Sequence, residues 1–292
     1  MRMCSPLRYP GGKSCLFELT SAILRHNDLR YGHYAEPFAG GCGLALSLLY
    51  SGQVAEIHVN DLDPAIWSFW HVALTRTDEL VDLITNVPVT IDEWQRQREI
   101  QRTPSEHDVM ALGFSTFFLN RTNRSGVIKG GGVIGGLDQL GNYKIDCRYN
   151  VEDLVRRIRR LARYQSRIHL TRQDALQFLD DCRILPSRSL LFIDPPYFKK
   201  GPGLYASYYK PEDHSTLAER VRRIETPWIV TYDDAPQIRA LYEANRQFSF
   251  DIHYSLNEKR TGTELLIASK DITMPPEASR KQLDRRPRPL AA

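Results

Sequence analysis

The feature that most constrains the fold of this chain is an interval. Two strand-like runs lie near the start, His33 to Pro37 and Glu56 to Asp61. Between them stand a glycine turn and an apolar helix opening, Leu44 to Tyr50. Strand, turn, helix and strand make a βαβ unit, the building block of a parallel sheet. Strands resume only at Ile168 to Arg172, then at Leu190 to Asp194 (LLFID) and Trp228 to Tyr232 (WIVTY). Such short continuous apolar runs suit parallel strands covered on both faces. A whole strand-to-strand crossover usually takes some 30 residues, yet 112 residues lie between Asp61 and Asp174. That excess is too long for a structureless loop. It predicts a second body inserted into an α/β sheet.

The interval reads as mostly helical, with helical patterns at Ala65 to Thr75, Glu79 to Asn86, Ile91 to Arg102 and His107 to Asn120. A loop from Gly126 to Gly141 then holds seven of the 18 glycines. A helix from Val151 to Gln165 follows, with Asn150 as N-cap and Glu152 and Asp153 in its first turn. Leu154, Ile158 and Leu161 form its expected buried stripe. Further helices are expected at Ser14 to Leu24, Ala175 to Cys182 and Pro211 to Ile224, and an antiparallel hairpin from Phe248 to Tyr254 and Glu264 to Ser269. The expected organisation is a discontinuous α/β domain, 1–64 and 166–276, an inserted helical domain, 65–165, and a basic, disordered tail, 277–292. The tail carries Arg280, Lys281, Arg285, Arg286 and Arg288 among prolines.

Composition excludes several classes. At 292 residues, 42% hydrophobic and 25% charged, the chain has material for a sizeable core, and wholesale disorder is excluded. No apolar run approaches the roughly 18 residues of a membrane span, and the N-terminus lacks a signal-type apolar stretch. Cys4, Cys15, Cys42, Cys147 and Cys182 are scattered, odd in number and without C-x-x-C spacing, against a disulfide framework or a zinc site. The expectation is a reduced, cytoplasmic chain. Lys and Arg number 39 against 35 for Asp and Glu, and a net +4 alone decides nothing. Placement says more, since basic residues gather in the interval and the tail.

Asp194-Pro195-Pro196-Tyr197 carries the sharpest chemistry. It follows the LLFI run, at the carboxyl end of a strand, where open α/β sheets bind ligands. The prolines stiffen the backbone. A carbonyl there and the Asp194 carboxylate can together grip the hydrogens of one amino group, while Tyr197 lays its ring on a flat heterocycle. Preorganised acceptors of this kind favour localising the lone pair of an exocyclic amine toward an electrophile. Glu36-Pro37-Phe38-Ala39-Gly40-Gly41-Cys42-Gly43 joins the first strand and helix, where glycines let backbone approach a ligand. Asp61 ends the next strand, as an acid that holds ribose hydroxyls would. Leu46 spoils a G-x-G-x-x-G pattern and disfavours a nicotinamide cofactor. Alone, this loop reads better as structural turn glycines. Tyr9-Pro10-Gly11-Gly12-Lys13-Ser14 lacks the first glycine of a Walker loop, because Leu7 stands there. Lys13 either meets a cofactor carboxylate or is an incidental surface lysine. Asp174 reads as a helix cap on spacing alone, and is also placed to meet an adenine.

The ordered set, G-G-K, E-P-F-x-G, a long insertion, then D-P-P-Y, resembles the Dam-type DNA adenine-N6 methyltransferases from Tyr9 to about Ser269. The resemblance implies a Rossmann-like methyltransferase sheet with an inserted, mostly helical target-recognition domain. It implies S-adenosylmethionine as cofactor, without a metal. It places Tyr9, Lys13, Glu36, Phe38, Gly40, Asp61 and Asp174 around the cofactor, and Asp194, Pro195, Pro196 and Tyr197 around a flipped adenine. Asn120 and Arg121 match the family's Asn-Arg pair near DNA, and Asn257 to Thr263 takes the place of a loop near the target base. Arg124, Lys129 and Lys144 flank the glycine-dense loop as further DNA contacts. The Arg156, Arg160 and Arg163 face is either a phosphate-binding face or a solvated one.

Double-stranded DNA is the implied partner, with no membrane association, a cognate restriction nuclease as a further partner and a monomer or weak dimer as the assembly. The implied location is the nucleoid-associated cytoplasm of a bacterial or phage-encoded protein. Departures are Tyr9 and Pro10 in place of Trp and Ala, Cys42 in place of a glycine, and Thr122 to Gly126 in place of an aromatic stretch. The last leaves the target sequence open, GATC included. Cytosine N4, RNA adenine or protein glutamine remain alternative substrates, as does a catalytically silent DNA-binding relative. Asp rather than Asn before the two prolines, and the insertion itself, favour adenine in DNA.

Overall fold

The computed structural model describes residues 4–9, 11–198, 209–254 and 260–276. Pro10, the tail and part of the 257–263 loop lie outside the described residues. The strands are β1 (His33–Glu36), β2 (Glu56–Asn60), β3 (Ile168–Thr171), β4 (Ser189–Ile193), β5 (Trp228–Asp233), β6 (Arg246–Tyr254) and β7 (Arg260–Ala268). They form one seven-stranded sheet in the order β3-β2-β1-β4-β5-β7-β6. β1, β4 and β5 run parallel, and β7 enters antiparallel between β5 and β6. This is the Rossmann-like α/β arrangement of the resemblance. Every residue of β4 and β5 is buried, as continuous apolar runs require. The closing hairpin is longer than its apolar pattern, pairing Arg246 with Ala268 through to Tyr254 with Arg260. Residues there such as Arg260 and Thr261 are polar, so they left no hydrophobic signal.

The chain divides into two compact units. One comprises Met1–Ser14, Ala39–Ser47 and His58–Gln173. Its body is α3 (Pro64–Thr75), α4 (Thr77–Asn86), α5 (Ile91–Arg102), α6 (Val109–Thr122) and α7 (Val151–Arg163). Helix α6 is buried on nearly all sides. At Gly113 a Cβ would lie 2.8 Å from the Ser68 carbonyl oxygen, so α3 and α6 meet backbone to backbone there. Phe69 stacks on Phe117 at 5.9 Å beside that crossing. Asn150 caps α7 as expected, its Oδ1 accepting from the Asp153 N–H at 2.8 Å, and Leu154, Ile158 and Leu161 are the helix's buried stripe.

The other unit comprises Cys15–Phe38, Leu48–Ile57 and Asp174–Ala292. α1 (Phe17–His26), α8 (Ala175–Asp181), α9 (Pro211–Arg222) and α10 (Pro236–Leu241) belong to it, and α2 (Gly43–Tyr50) lies between β1 and β2 in the chain. Its core joins Leu191, Ile193, Val230, Tyr232, Leu265 and Ile267 of the sheet to Phe178, Leu217 and Val221 of the helices. Helix α10 was not anticipated, because six residues are too few to show a helical period. Among the described residues no helix is long and apolar enough to cross a membrane.

Candidate active site

In the second unit, β4 delivers Asp194 at its carboxyl end, and the two prolines follow. The structure shows how this turn is pinned. The Thr231 Oγ1–H donates to Asp194 Oδ1 at 2.7 Å, so β5 sets the plane of the carboxylate. Pro195 is buried and Pro196 partly so. Tyr197 is 3% exposed, and its hydroxyl donates to Glu264 Oε1 at 2.6 Å. The Phe198 N–H donates to Asp233 Oδ1 at 2.8 Å. Tyr209, whose phenol burial pushes further above its ordinary range, meets Phe38 edge-on at 5.8 Å. Tyr209 and Phe198 also pack on buried His214, whose Nδ1 lies 2.9 Å from the Tyr232 hydroxyl. Burial lowers the pKa of His214.

Register brings two of the expected residues to one sheet edge. Ala35 pairs with Leu191 in parallel, so the chain leaves β1 at Glu36 on the side where it leaves β4 at Asp194. Glu36 is buried and accepts from the Tyr34 hydroxyl at 2.8 Å. Asp174 is exposed and caps α8, accepting from the Leu176 N–H at 2.8 Å.

The remaining expected residues lie in the first unit. Gly40 has φ +47°, the left-handed region that favours glycine. Its N–H donates to Asp61 Oδ2 at 2.9 Å, and its carbonyl accepts from Trp70 Nε1–H at 2.8 Å. A Cβ on Gly40 would stand 2.6 Å from Tyr9 Cε1, and one on Gly41 would stand 2.5 Å from Tyr9 Cβ. The glycines therefore make room for the chain's own Tyr9, an approach that sequence reasoning had assigned to a ligand. Lys13 is buried, and its Nζ donates to the Gly11 carbonyl at 3.0 Å.

Asp61 also accepts from the Asp63 N–H at 3.0 Å. Desolvation by its surroundings raises its pKa to about 6, although part of its surface stays open. An ionised carboxylate has about four acceptor positions, and two backbone donors leave capacity for a pair of hydroxyls. These remaining acceptor positions fit the hydroxyls of a ribose-bearing cofactor.

Asn120 and Arg121 turn inward. Asn120 is fully buried; its Oδ1 accepts from the Arg8 N–H at 2.7 Å and its Nδ2 donates to the Arg8 and Gly126 carbonyls at 2.7 and 2.9 Å. Arg121 donates to the Arg148 carbonyl at 2.8 Å and the Pro6 carbonyl at 3.3 Å, and burial lowers its pKa to about 10. Both side chains hold backbone of the N-terminal segment. Arg124, Lys129 and Lys144 are exposed. Lys129 pairs with Asp63 at 2.9 Å, and Lys144 donates to the Gln139 carbonyl at 2.5 Å. Leu137, Leu140 and Tyr143, 58%, 84% and 66% exposed, stand on the same loop. Arg156 and Arg157 of α7 both pair with Asp153.

Sequence reasoning missed Trp70, Thr231, Asp233 and Glu264. A usable signal existed for the last two. Asp233 closes the WIVTY run as Asp194 closes LLFI, and Glu264 opens an otherwise apolar run, ELLIAS.

The family described as D12 class N6 adenine-specific DNA methyltransferase matches residues 9–261. No curated protein matches the chain. Among solved structures, the rRNA methyltransferase aviRa from Streptomyces viridochromogenes is similar over 90% of this chain and 87% of that one, at 12% identity and a TM-score of 0.37.

Proposed function

Because this chain belongs to the D12 class of N6 adenine-specific DNA methyltransferases, we propose that it methylates N6 of an adenine flipped out of duplex DNA. Family membership implies S-adenosylmethionine as methyl donor. That cofactor supplies a methyl group already activated on a sulfonium, and the protein supplies orientation and electrostatics. Asp61 takes the ribose hydroxyls. Tyr9, Lys13, Glu36, Phe38, Gly40 and Asp174 complete the cofactor surroundings.

The Asp194 carboxylate and the Pro195 carbonyl accept the N6 hydrogens and aim the lone pair at the methyl carbon. As the new N–C bond forms at the expense of the methyl–sulfur bond, whose electron pair stays on sulfur, positive charge arrives on N6, and these acceptors stabilise it. N6 then gives up one proton to the hydrogen-bonded Asp194 carboxylate. Tyr197 stacks on the base; its ring is covered in the present conformation, so the base reaches it only once that cover is displaced.

The interval 65–165 acts as the target-recognition domain. Arg124, Lys129 and Lys144 face phosphate, and exposed Leu137, Leu140 and Tyr143 offer apolar surface to a distorted groove. Asn120 and Arg121 contribute by holding the segment through Pro6 and Arg8.

The observation that carries this reading is the intact Asp194-Pro195-Pro196-Tyr197 turn at the end of β4, its carboxylate oriented by Thr231. The test is transfer of a labelled methyl group to unmethylated duplex DNA and to RNA, with digestion to nucleosides. Label in N6-methyladenine from DNA is expected, and Asp194→Ala should abolish it while the protein stays folded. Label in N4-methylcytosine or RNA, or activity retained in Asp194→Ala, would refute it.

A further inference from the structure

Two buried carboxylates stand directly opposite one another on adjacent strands. Asp233 of β5 pairs in register with Glu264 of β7. Like charges opposed in this way repel. Burying either also costs free energy that an apolar side chain of similar volume would avoid. Glu264 is fully buried and Asp233 is 6% exposed. Both are bonded to the same short stretch of chain. Glu264 Oε1 accepts from the Tyr197 hydroxyl at 2.6 Å, and Asp233 Oδ1 accepts from the Phe198 N–H at 2.8 Å. Thr231, two residues before Asp233, holds Asp194 at 2.7 Å. Pro195 and Pro196 have no N–H with which the turn can brace itself. Side chains on β5 and β7 brace it instead.

We propose that Glu264 is a positioning residue for methyl transfer, fixing the Tyr197 hydroxyl and through it the ring against which the target base lies. Thr231 and Asp233 hold the two ends of the same turn, so Asp194 and Tyr197 keep one mutual geometry. An O–H donated to a carboxylate also enriches the phenol ring in electron density. A richer ring face attracts the positive charge that arrives on N6. This role rests on the proposed adenine-methylating function.

The test compares Glu264→Leu, Glu264→Gln and Tyr197→Phe in the full chain, with unmethylated duplex DNA and S-adenosylmethionine. Glu264→Leu should lower kcat at least about tenfold, because small misplacements of reacting groups cost that much or more. KM for DNA and Kd for the cofactor should stay within about twofold, the pattern expected when stabilisation is lost in the transition state alone. Glu264→Gln retains an acceptor for the hydroxyl and should recover most of the lost rate. Tyr197→Phe should lose as much as Glu264→Leu, and the double variant no more than either single one, since both remove one interaction.

A folded Glu264→Leu protein with wild-type kcat would overturn the role, and so would rate losses that multiply in the double variant. Should Glu264→Leu fail to fold, Tyr197→Phe decides: wild-type kcat overturns the role, and a tenfold loss carries it. A wild-type protein that methylates no DNA would instead overturn the proposed function. An active wild type beside an unaffected Glu264→Leu overturns only the role of Glu264.

Discussion

The pH dependence of stability offers a direct test of Asp61. Its carboxyl has a pKa of about 6 in the folded chain against 3.8 for an unperturbed aspartate, chiefly because burial penalises the charged form. The backbone N–H groups of Gly40 and Asp63 oppose that shift without cancelling it. The folded protein thus holds this proton more tightly than the unfolded chain does. Stability must rise as pH falls from about 7 to about 4, and fall again on the way up. Two pH units of pKa difference correspond to about 3 kcal/mol, and nearer about 2 kcal/mol once the solvent-facing part of the carboxylate is allowed for.

Asp61→Asn cannot titrate. It also turns an amide donor toward one of two backbone donors, which costs about 1–3 kcal/mol at every pH. The wild-type-minus-variant difference in unfolding free energy, from urea titrations, should therefore grow by about 2 kcal/mol between pH 7.5 and pH 4.5. Subtraction removes every other titrating group. Cofactor affinity should move the opposite way. Ribose hydroxyls donate best to the ionised carboxylate, so the wild-type Kd should rise as pH drops through about 6, while that of Asp61→Asn stays flat. A pH-independent stability difference, or one that shrinks toward acid, would refute the buried-carboxylate argument.

Gly40→Ala places a side chain at φ +47° and a Cβ 2.6 Å from Tyr9 Cε1. A loss of about 2–3 kcal/mol should appear as a lower melting temperature, together with weaker cofactor binding by calorimetry. Trp70→Phe keeps an aromatic side chain but removes the Nε1–H donated to the Gly40 carbonyl along with the indole's five-membered ring. It should cost about 1–2 kcal/mol and raise the cofactor Kd about fivefold, without altering the KM for DNA. Asn120→Ala leaves the Arg8 N–H without its acceptor and should lower stability by about 2–4 kcal/mol. Lys144→Ala should leave the melting temperature unchanged and lower the salt slope of DNA binding by about 1. A salt-slope change in Asn120→Ala with no loss of stability would return Asn120 to the DNA surface.

Much of this protein was legible in one dimension. The interval between Asp61 and Asp174, the apolar runs of β4 and β5 and the cap at Asn150 all follow from local rules. Periodicity, turn chemistry and capping act over a few residues, so a linear sequence displays them. The order of G-G-K, E-P-F-x-G and D-P-P-Y was equally visible, and it carried the family. Contacts between distant residues leave no such trace. Glu264 meets Tyr197 across 67 positions, and Asn120 meets Arg8 across 112. In sequence, Glu264 is one acid beside an apolar run, and Asn120 one polar residue at a helix end.

The sequence by itself therefore determined the α/β class, the place of the long helical interval and the position of the D-P-P-Y residues at the end of a strand. Only the tertiary structure decided what the individual groups do. It gave the loop glycines to Tyr9, turned Asn120 and Arg121 inward, and bonded two buried acids to Tyr197 and Phe198. The physical reason is that hydrogen bonds and desolvation depend on which atoms surround a group, and chain folding brings those atoms together from far apart.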